Sequence, residues 1–248
     1  METLSSCKEV TLVFPAYNEA GGIEQAVFKA KETLANITKS FEIIIAEDGS
    51  TDGTGEIAKR LSTEIDSVLH LHNDKRLGRG RALKRAFKSS TGAILVYMDV
   101  DLSAEMNSLE SLINSIKNGY DVVTGSRMLP DSLVQRSLLR TFASRAYNGL
   151  VRFLLGSPVR DHQCGFKAFK RESLFRILDK AKDDHWFWDT EILILAVHYG
   201  FRVNEIPITW REGKTSRVEL ISDSMNMGFH VLSLWWRLKG EKTLFRKK

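Results

Sequence analysis

Cysteine is scarce in this chain: Cys7 and Cys164 are the only two among 248 residues. Two thiols supply neither a disulfide framework nor a metal-binding spacing, so the expectation is reduced thiols in a cytosolic setting. Long apolar runs are missing too. A helix that crosses a bilayer needs about 20 consecutive apolar residues, and no stretch approaches that length. Any membrane contact is therefore expected to be peripheral, on the cytosolic face. The opening METLSSCKEVTLVF lacks the apolar core of a secretory signal. No internal repeat, low-complexity segment or clear linker interrupts the chain. The expected organisation is one main domain over residues 1–221 and an amphipathic basic tail over 222–248.

Charge of one sign does not dominate. The formal net charge is +5, a mild excess that suits nucleic acid, an anionic membrane surface or a phosphorylated ligand. Nucleic acid is disfavoured, because no recognised binding motif occurs and the acidic clusters described next would repel a phosphate backbone.

The first half alternates between two periodicities. Apolar, strand-like runs occupy residues 10–14, 41–46, 68–72, 93–98 and 121–125. Between them, residues 23–34, 54–61, 80–89 and 109–117 carry helical spacing, as in Ile23, Ala26, Val27, Ala30 and Leu34. Such a β-α-β-α rhythm predicts an α/β domain with a mostly parallel sheet covered by helices on both faces. Ligands of such sheets sit off the carboxyl ends of the strands.

Three of these ends are acidic. The first strand runs into Pro15-Ala16-Tyr17-Asn18-Glu19, the second into Glu47-Asp48-Gly49-Ser50-Thr51-Asp52, and the fourth into Asp99-Val100-Asp101. One acidic turn is ordinary helix capping, but three on one sheet edge suggest a polar ligand site. In an extended strand, residues i and i+2 face the same side, which would aim Asp99 and Asp101 at one point. Mg²⁺ and Mn²⁺ favour such oxygen ligands, commonly one or two carboxylates completed by substrate phosphates.

Residues 137–156 form a basic amphipathic helix candidate. Its apolar Leu138, Leu139, Phe142, Ala146, Leu150, Phe153 and Leu154 are interrupted by Arg140, Arg145 and Arg152. It suits either a core-facing position or a membrane interface. The tail adds Phe229, Leu232, Leu234, Trp235, Trp236 and Leu238, followed by Arg237, Lys239 and further cations. Aromatics beside basic residues suit a headgroup layer; the alternative is a docked helix with a frayed cationic end.

The segments VFPAYNEAGGIEQAV, AEDGSTDGT, LGRGRALKRAF, VYMDVDLS, VVTGSRM, DHQCGFKAFKRE, WFWDTEIL and VNEIPITWREGKTSR, in that order, together resemble a family-2 glycosyltransferase with the GT-A fold. The nearest branch resembles the polyprenyl-phosphate sugar synthases, which make dolichyl-phosphate mannose or dolichyl-phosphate glucose. The resemblance implies a nucleoside pocket lined by Pro15, Ala16, Tyr17, Glu19, Ile45, Glu47 and Asp48. It implies Mg²⁺ or Mn²⁺ on Asp99 and Asp101, with Val100 and Ser103 beside the donor. Glu47, Val100 and Ser103 stand where relatives often carry Asp, Ala and Gln. Arg127, Arg140 and Ser144 are implied to clamp an acceptor phosphate, and Arg211 and Arg217 to flank a loop that closes over the diphosphate. Asp189 is implied either to touch sugar hydroxyls or to support the metal site, and Gln163 and Lys167 to neighbour sugar or acceptor.

On that resemblance the chain is expected to move a hexose from a nucleotide-diphosphate sugar to dolichyl or another polyprenyl phosphate. The DHQCGFK and WFWDTE stretches favour UDP-glucose or UDP-N-acetylglucosamine over GDP-mannose, and a non-lipid hydroxyl acceptor is a further alternative. A phosphate acceptor is already anionic near neutral pH and needs no general base. A hydroxyl acceptor would need a positioned carboxylate. A membrane-anchoring partner is left open. Sugar nucleotidyltransferases are a competing class, but they usually carry a glycine-rich Arg/Lys loop where this chain has PAYNEAGG.

Overall fold

The computed structural model describes residues 7–211 and 220–245. A seven-stranded sheet organises the chain in the order β3-β2-β1-β4-β7-β5-β8. Strands β1 (Val10–Ala16), β2 (Phe41–Glu47), β3 (Val68–Leu71) and β4 (Ile94–Met98) pair in parallel. So do β5 (Val122–Ser126) and β8 (Val203–Pro207). Between the two parallel groups lies β7 (Phe166–Lys170), antiparallel to both neighbours. A separate two-stranded ladder joins β6 (Leu133–Gln135) to β9 (Thr209–Arg211).

The strands are largely apolar because both faces of the sheet are covered. Leu12, Phe14, Ile43, Ile45, Val96 and Met98 enter one core, packed under α1 (Ile23–Ile37), α2 (Thr54–Glu64) and α4 (Leu109–Lys117). Their neighbours Val13, Ile44, Ala46, Leu95 and Tyr97 enter the other. That second core is closed by α3 (Arg79–Ser89), α6 (Arg171–Ile177), α7 (Trp188–His198) and one face of α8 (Leu220–Phe245). The doubly covered, mostly parallel sheet matches the expectation. The antiparallel β7 is an addition: its FKAFK sequence does not alternate, and the fully buried Lys167 lies among buried Phe166, Ala168 and Phe169.

Helix α5 (Leu138–Leu155) settles one open alternative. Its inward residues are Ser144, Asn148 and Val151. Tyr147, Leu154 and Leu155 also pack on the core, whereas Leu138 is 87% exposed, Phe142 73% and Phe153 85%. Helix α8 packs beside it. Val231, Leu234 and Leu238 of α8 are buried, while Phe229, Leu232 and Trp236, also spaced i, i+3, i+7, are exposed. The tail thus has two apolar stripes, one docked and one open. Arg237 turns inward and pairs with Glu191 of α7.

Candidate active site

Strands β1, β2 and β4 run parallel, so Tyr17, Glu47 and Asp99 meet along one edge of the sheet. Asp48 organises that edge. Its two carboxylate oxygens accept the backbone N–H groups of Leu77 and Gly78, each at 2.8 Å. These bonds fix where the chain turns into α3, whose first residue is Arg79. Gly78 has φ +101°, and a Cβ there would lie 2.4 Å from the Asp184 carbonyl oxygen. Only glycine meets both demands.

Arg79 is the centre of the site, and sequence reading assigned it no role. Its guanidinium donates to Asp99 Oδ1 through Nη2 at 2.6 Å and Nε at 3.2 Å. The other arm pairs with Asp189, and the planar group lies over the rings of Tyr97 and Trp186. Asp189 is buried. It accepts from the Tyr97 hydroxyl and from Lys167 Nζ, the latter at 2.8 Å. Burial pushes the Asp189 carboxyl up to about 6, against the pull of Arg79. Burial likewise pulls the Lys167 ammonium down to about 7. Asp189 is thereby tied to Asp99 through the shared Arg79.

The alternation argument for Asp99 and Asp101 does not hold, because β4 ends at Met98 and the triplet lies in the following turn. Leu102 there adopts φ 51°. Asp101 is exposed and accepts from Ser103 N at 3.0 Å and Ser103 Oγ at 2.7 Å. Asp99 is partly exposed, with its backbone N–H bonded to the Gly165 carbonyl. Its Oδ2 lies so near Gly165 that a Cβ on that residue would sit 1.8 Å away. Ladder β6–β9 closes over this turn: Arg211 N donates to Ser103 O at 2.8 Å, and the Arg211 side chain reaches Glu105. Two hard carboxylates, one exposed and one held by a single arginine, form a donor set that fits Mg²⁺ or Mn²⁺.

On the nucleoside side, Arg76 stacks over the Tyr17 ring at 4.1 Å. Glu19 N donates to Thr54 Oγ1. Pro15 and Tyr17 are partly exposed at the edge; Ala16, Glu47 and Asp48 are buried there, and Val100 is buried against Gly22. Ile45 is fully buried in the sheet core. Its side chain supports the pocket from within and does not line it.

The expected phosphate clamp divides. Arg127 is locked to Asp161, with Nε–Oδ2 2.7 Å and Nη2–Oδ1 2.8 Å, and both groups are buried. The pair takes the Nε/Nη2 edge of a guanidinium that is itself nearly buried, so its contact here is a structural one and not an open phosphate clamp. Ser144 and Arg140 do share a helix. Ser144 Oγ lies 3.3 Å from Arg136 Nη1 and 3.5 Å from Gln163 Oε1. Arg136, which sequence reading missed, stacks on Trp210 beside Arg127. Arg217 lies outside the described residues.

Burial raises the Asp161 carboxyl, but Arg127 outweighs it and holds the group well below the usual range. A depressed folded pKa means the unfolded chain binds more protons as acid is added. This contribution is present above the ordinary carboxylate pKa of about 4 and is lost as pH falls below it. Asp161→Asn should cost about 3–5 kcal/mol at neutral pH by orphaning a buried guanidinium, and should flatten the acid limb of stability. Urea unfolding at pH 7 and pH 3.5 measures both; an equally steep acid limb in the variant would contradict it.

The doubly covered sheet, with a D-x-D turn and a nucleoside-side edge, defines a GT-A-like domain. The family-2 glycosyl transferase model matches residues 11–178, and the chain belongs to that family. It is 48% identical over 242 residues to glycosyltransferase AglD of Haloferax volcanii, covering 96% of this chain but 39% of that protein. The chain thus spans well under half of AglD. It is 30% identical to the dolichyl-phosphate beta-glucosyltransferase of Saccharomyces cerevisiae, over 88% of this chain and 71% of the relative. The human enzyme of that name is 29% identical, over 92% and 75%. Among solved structures, glucosyl-3-phosphoglycerate synthase of Mycobacterium tuberculosis superposes with TM-score 0.65 at 20% identity, covering 94% of this chain and 80% of the other.

Proposed function

We propose that this chain transfers a hexose, with glucose favoured, from a UDP-sugar to dolichyl phosphate or a related polyprenyl phosphate, inverting the anomeric centre. The observation that carries this reading is the state of Asp189. An acceptor hydroxyl would need a base, but this buried carboxylate is engaged by Arg79, Lys167 and Tyr97. A phosphate monoester needs no base. The name of the yeast and human relatives supports glucose and dolichyl phosphate. The mycobacterial synthase, crystallised with Mn²⁺ and UDP, supports a uridine donor and a divalent ion.

Tyr17 and Arg76 would hold the nucleoside, with the buried Glu47 supporting that edge from within, and Asp99 and Asp101 the ion. When bound, that ion would neutralise the diphosphate as it leaves. Arg136, Arg140, Ser144 and Arg211 would orient the acceptor phosphate. Bringing two anions together is the main work of such a site.

A transfer assay tests the reading with short dolichyl phosphate, Mn²⁺ or Mg²⁺, and UDP-glucose, UDP-N-acetylglucosamine and GDP-mannose offered separately. Label in the organic phase from UDP-glucose is the expected result. Metal-dependent donor hydrolysis without lipid product would discard the acceptor and keep the site.

The exposed stripes of α5 and α8 would rest on the membrane that holds the acceptor, as a peripheral contact. No helix among the described residues is long and apolar enough to cross a bilayer. Deleting α8 would uncover the core beneath Val231, Leu234 and Leu238, so point changes are the sharper test. Phe142→Ser with Phe153→Ser and Trp236→Ser should cut flotation with anionic vesicles several-fold. Unchanged flotation would remove this contact from the reading.

A further inference from the structure

A second cluster lies on the far side of the nucleoside edge. Parallel pairing sets Ile45 beside His70 and Ala46 beside Leu71, so the next step brings Glu47 beside His72. His72 follows the last residue of β3, and its ring centroid lies 5.9 Å from that of His70. Glu47, His70 and His72 each offer a ligand atom, and these atoms lie within 4.8 Å of one another.

Three details go beyond an ordinary ion pair. His70 Nε2 is buried without a hydrogen-bond partner and faces Glu47 Oε2 from 3.8 Å. A buried polar atom left unpaired calls for a specific cause, such as an ion. His72 Nε2 lies 3.1 Å from Asp74 Oδ1 while its Nδ1 faces Glu47. A carboxylate on the remote ring nitrogen is the usual support of a metal-binding imidazole, because it fixes the tautomer. His72 is also half-exposed, which provides an entry path.

We propose that Glu47, His70 and His72 form a binding site for a borderline divalent transition-metal ion, zinc foremost, separate from the Asp99/Asp101 turn. Two imidazoles and one carboxylate suit zinc, cobalt or nickel better than magnesium. Three protein ligands leave a fourth position for solvent. Strand β1 stands between β2 and β4, so the two sites are separated by about two strand spacings, roughly 10 Å. The ion would pin the edge strand β3 to β2 through Glu47.

Co²⁺ titration of the chelator-treated protein, without nucleotide, tests this independently of any transfer activity. One equivalent with visible d–d absorption bands is expected, displaced by Zn²⁺ and not by Mg²⁺. His70→Ala and His72→Gln should weaken binding at least tenfold, and Asp101→Ala should leave the bands intact. Absence of bands at stoichiometric Co²⁺, bands retained in both histidine variants, or bands lost only in Asp101→Ala would each overturn the proposal. Should His70→Ala fail to fold, His72→Gln decides alone, because that side chain is half-exposed.

Discussion

Arg79→Ala is expected to abolish sugar transfer and to destabilise the fold by about 3 kcal/mol or more. The guanidinium is nearly buried between Asp99 and Asp189. Removing one partner of a buried ion pair typically costs about 3–5 kcal/mol, because the charge left behind has no compensation. Here two carboxylates lose it. Asp189 would retain Lys167 and Tyr97, whereas Asp99 would lose its side-chain anchor. Arg79→Lys separates the two effects. A lysine restores charge without the planar fork that reaches both acids, so stability should recover partly while transfer stays low. Urea unfolding and initial-rate measurements on both variants provide the check. A stable, fully active Arg79→Ala would show that the network does not position Asp99.

Asp101→Ala and Gly165→Ala should disable the site from opposite sides. The first removes an exposed carboxylate expected to ligate the divalent ion, and transfer should fall to background. The second leaves every proposed ligand in place. A methyl on Gly165 would lie 1.8 Å from Asp99 Oδ2, and because Asp99 is also bonded to Arg79, the turn must shift. A misplacement of about 1 Å at a reacting centre can cost about a hundredfold in rate. The expected outcome for Gly165→Ala is that loss with a raised metal requirement. A profile unchanged in both rate and metal dependence would disprove the tight packing of Asp99 on Gly165.

Much of the architecture was legible because local and global preferences agree along this chain. The alternation of strand and helix patterns fixed β1 to β5 to within a residue or two, and the same runs supply both cores. The acidic strand ends do share one edge of the sheet. Strand β7 was missed because a buried lysine violates the apolar pattern of a central strand, and its partners Asp189 and the Cys164 carbonyl make that burial tolerable. Arg79 was missed for a related reason. Nothing in Gly-Arg-Gly states that two carboxylates from distant elements will converge on it. The flanking glycines were the available signal, as residues that permit close backbone approach.

The sequence by itself determined which faces would be apolar, where the strands would end and which side chains could ligate a cation. Those are properties of residue type and spacing, set by periods of 2.0 and 3.6 residues. Tertiary structure decided which charges are available. It locked Arg127 to Asp161, gave Asp189 to Arg79 and Lys167, and turned Leu138, Phe142 and Phe153 of α5 outward. Pairing between residues dozens of positions apart depends on how the sheet and helices pack, because a buried charge takes whichever opposite charge the fold brings within reach.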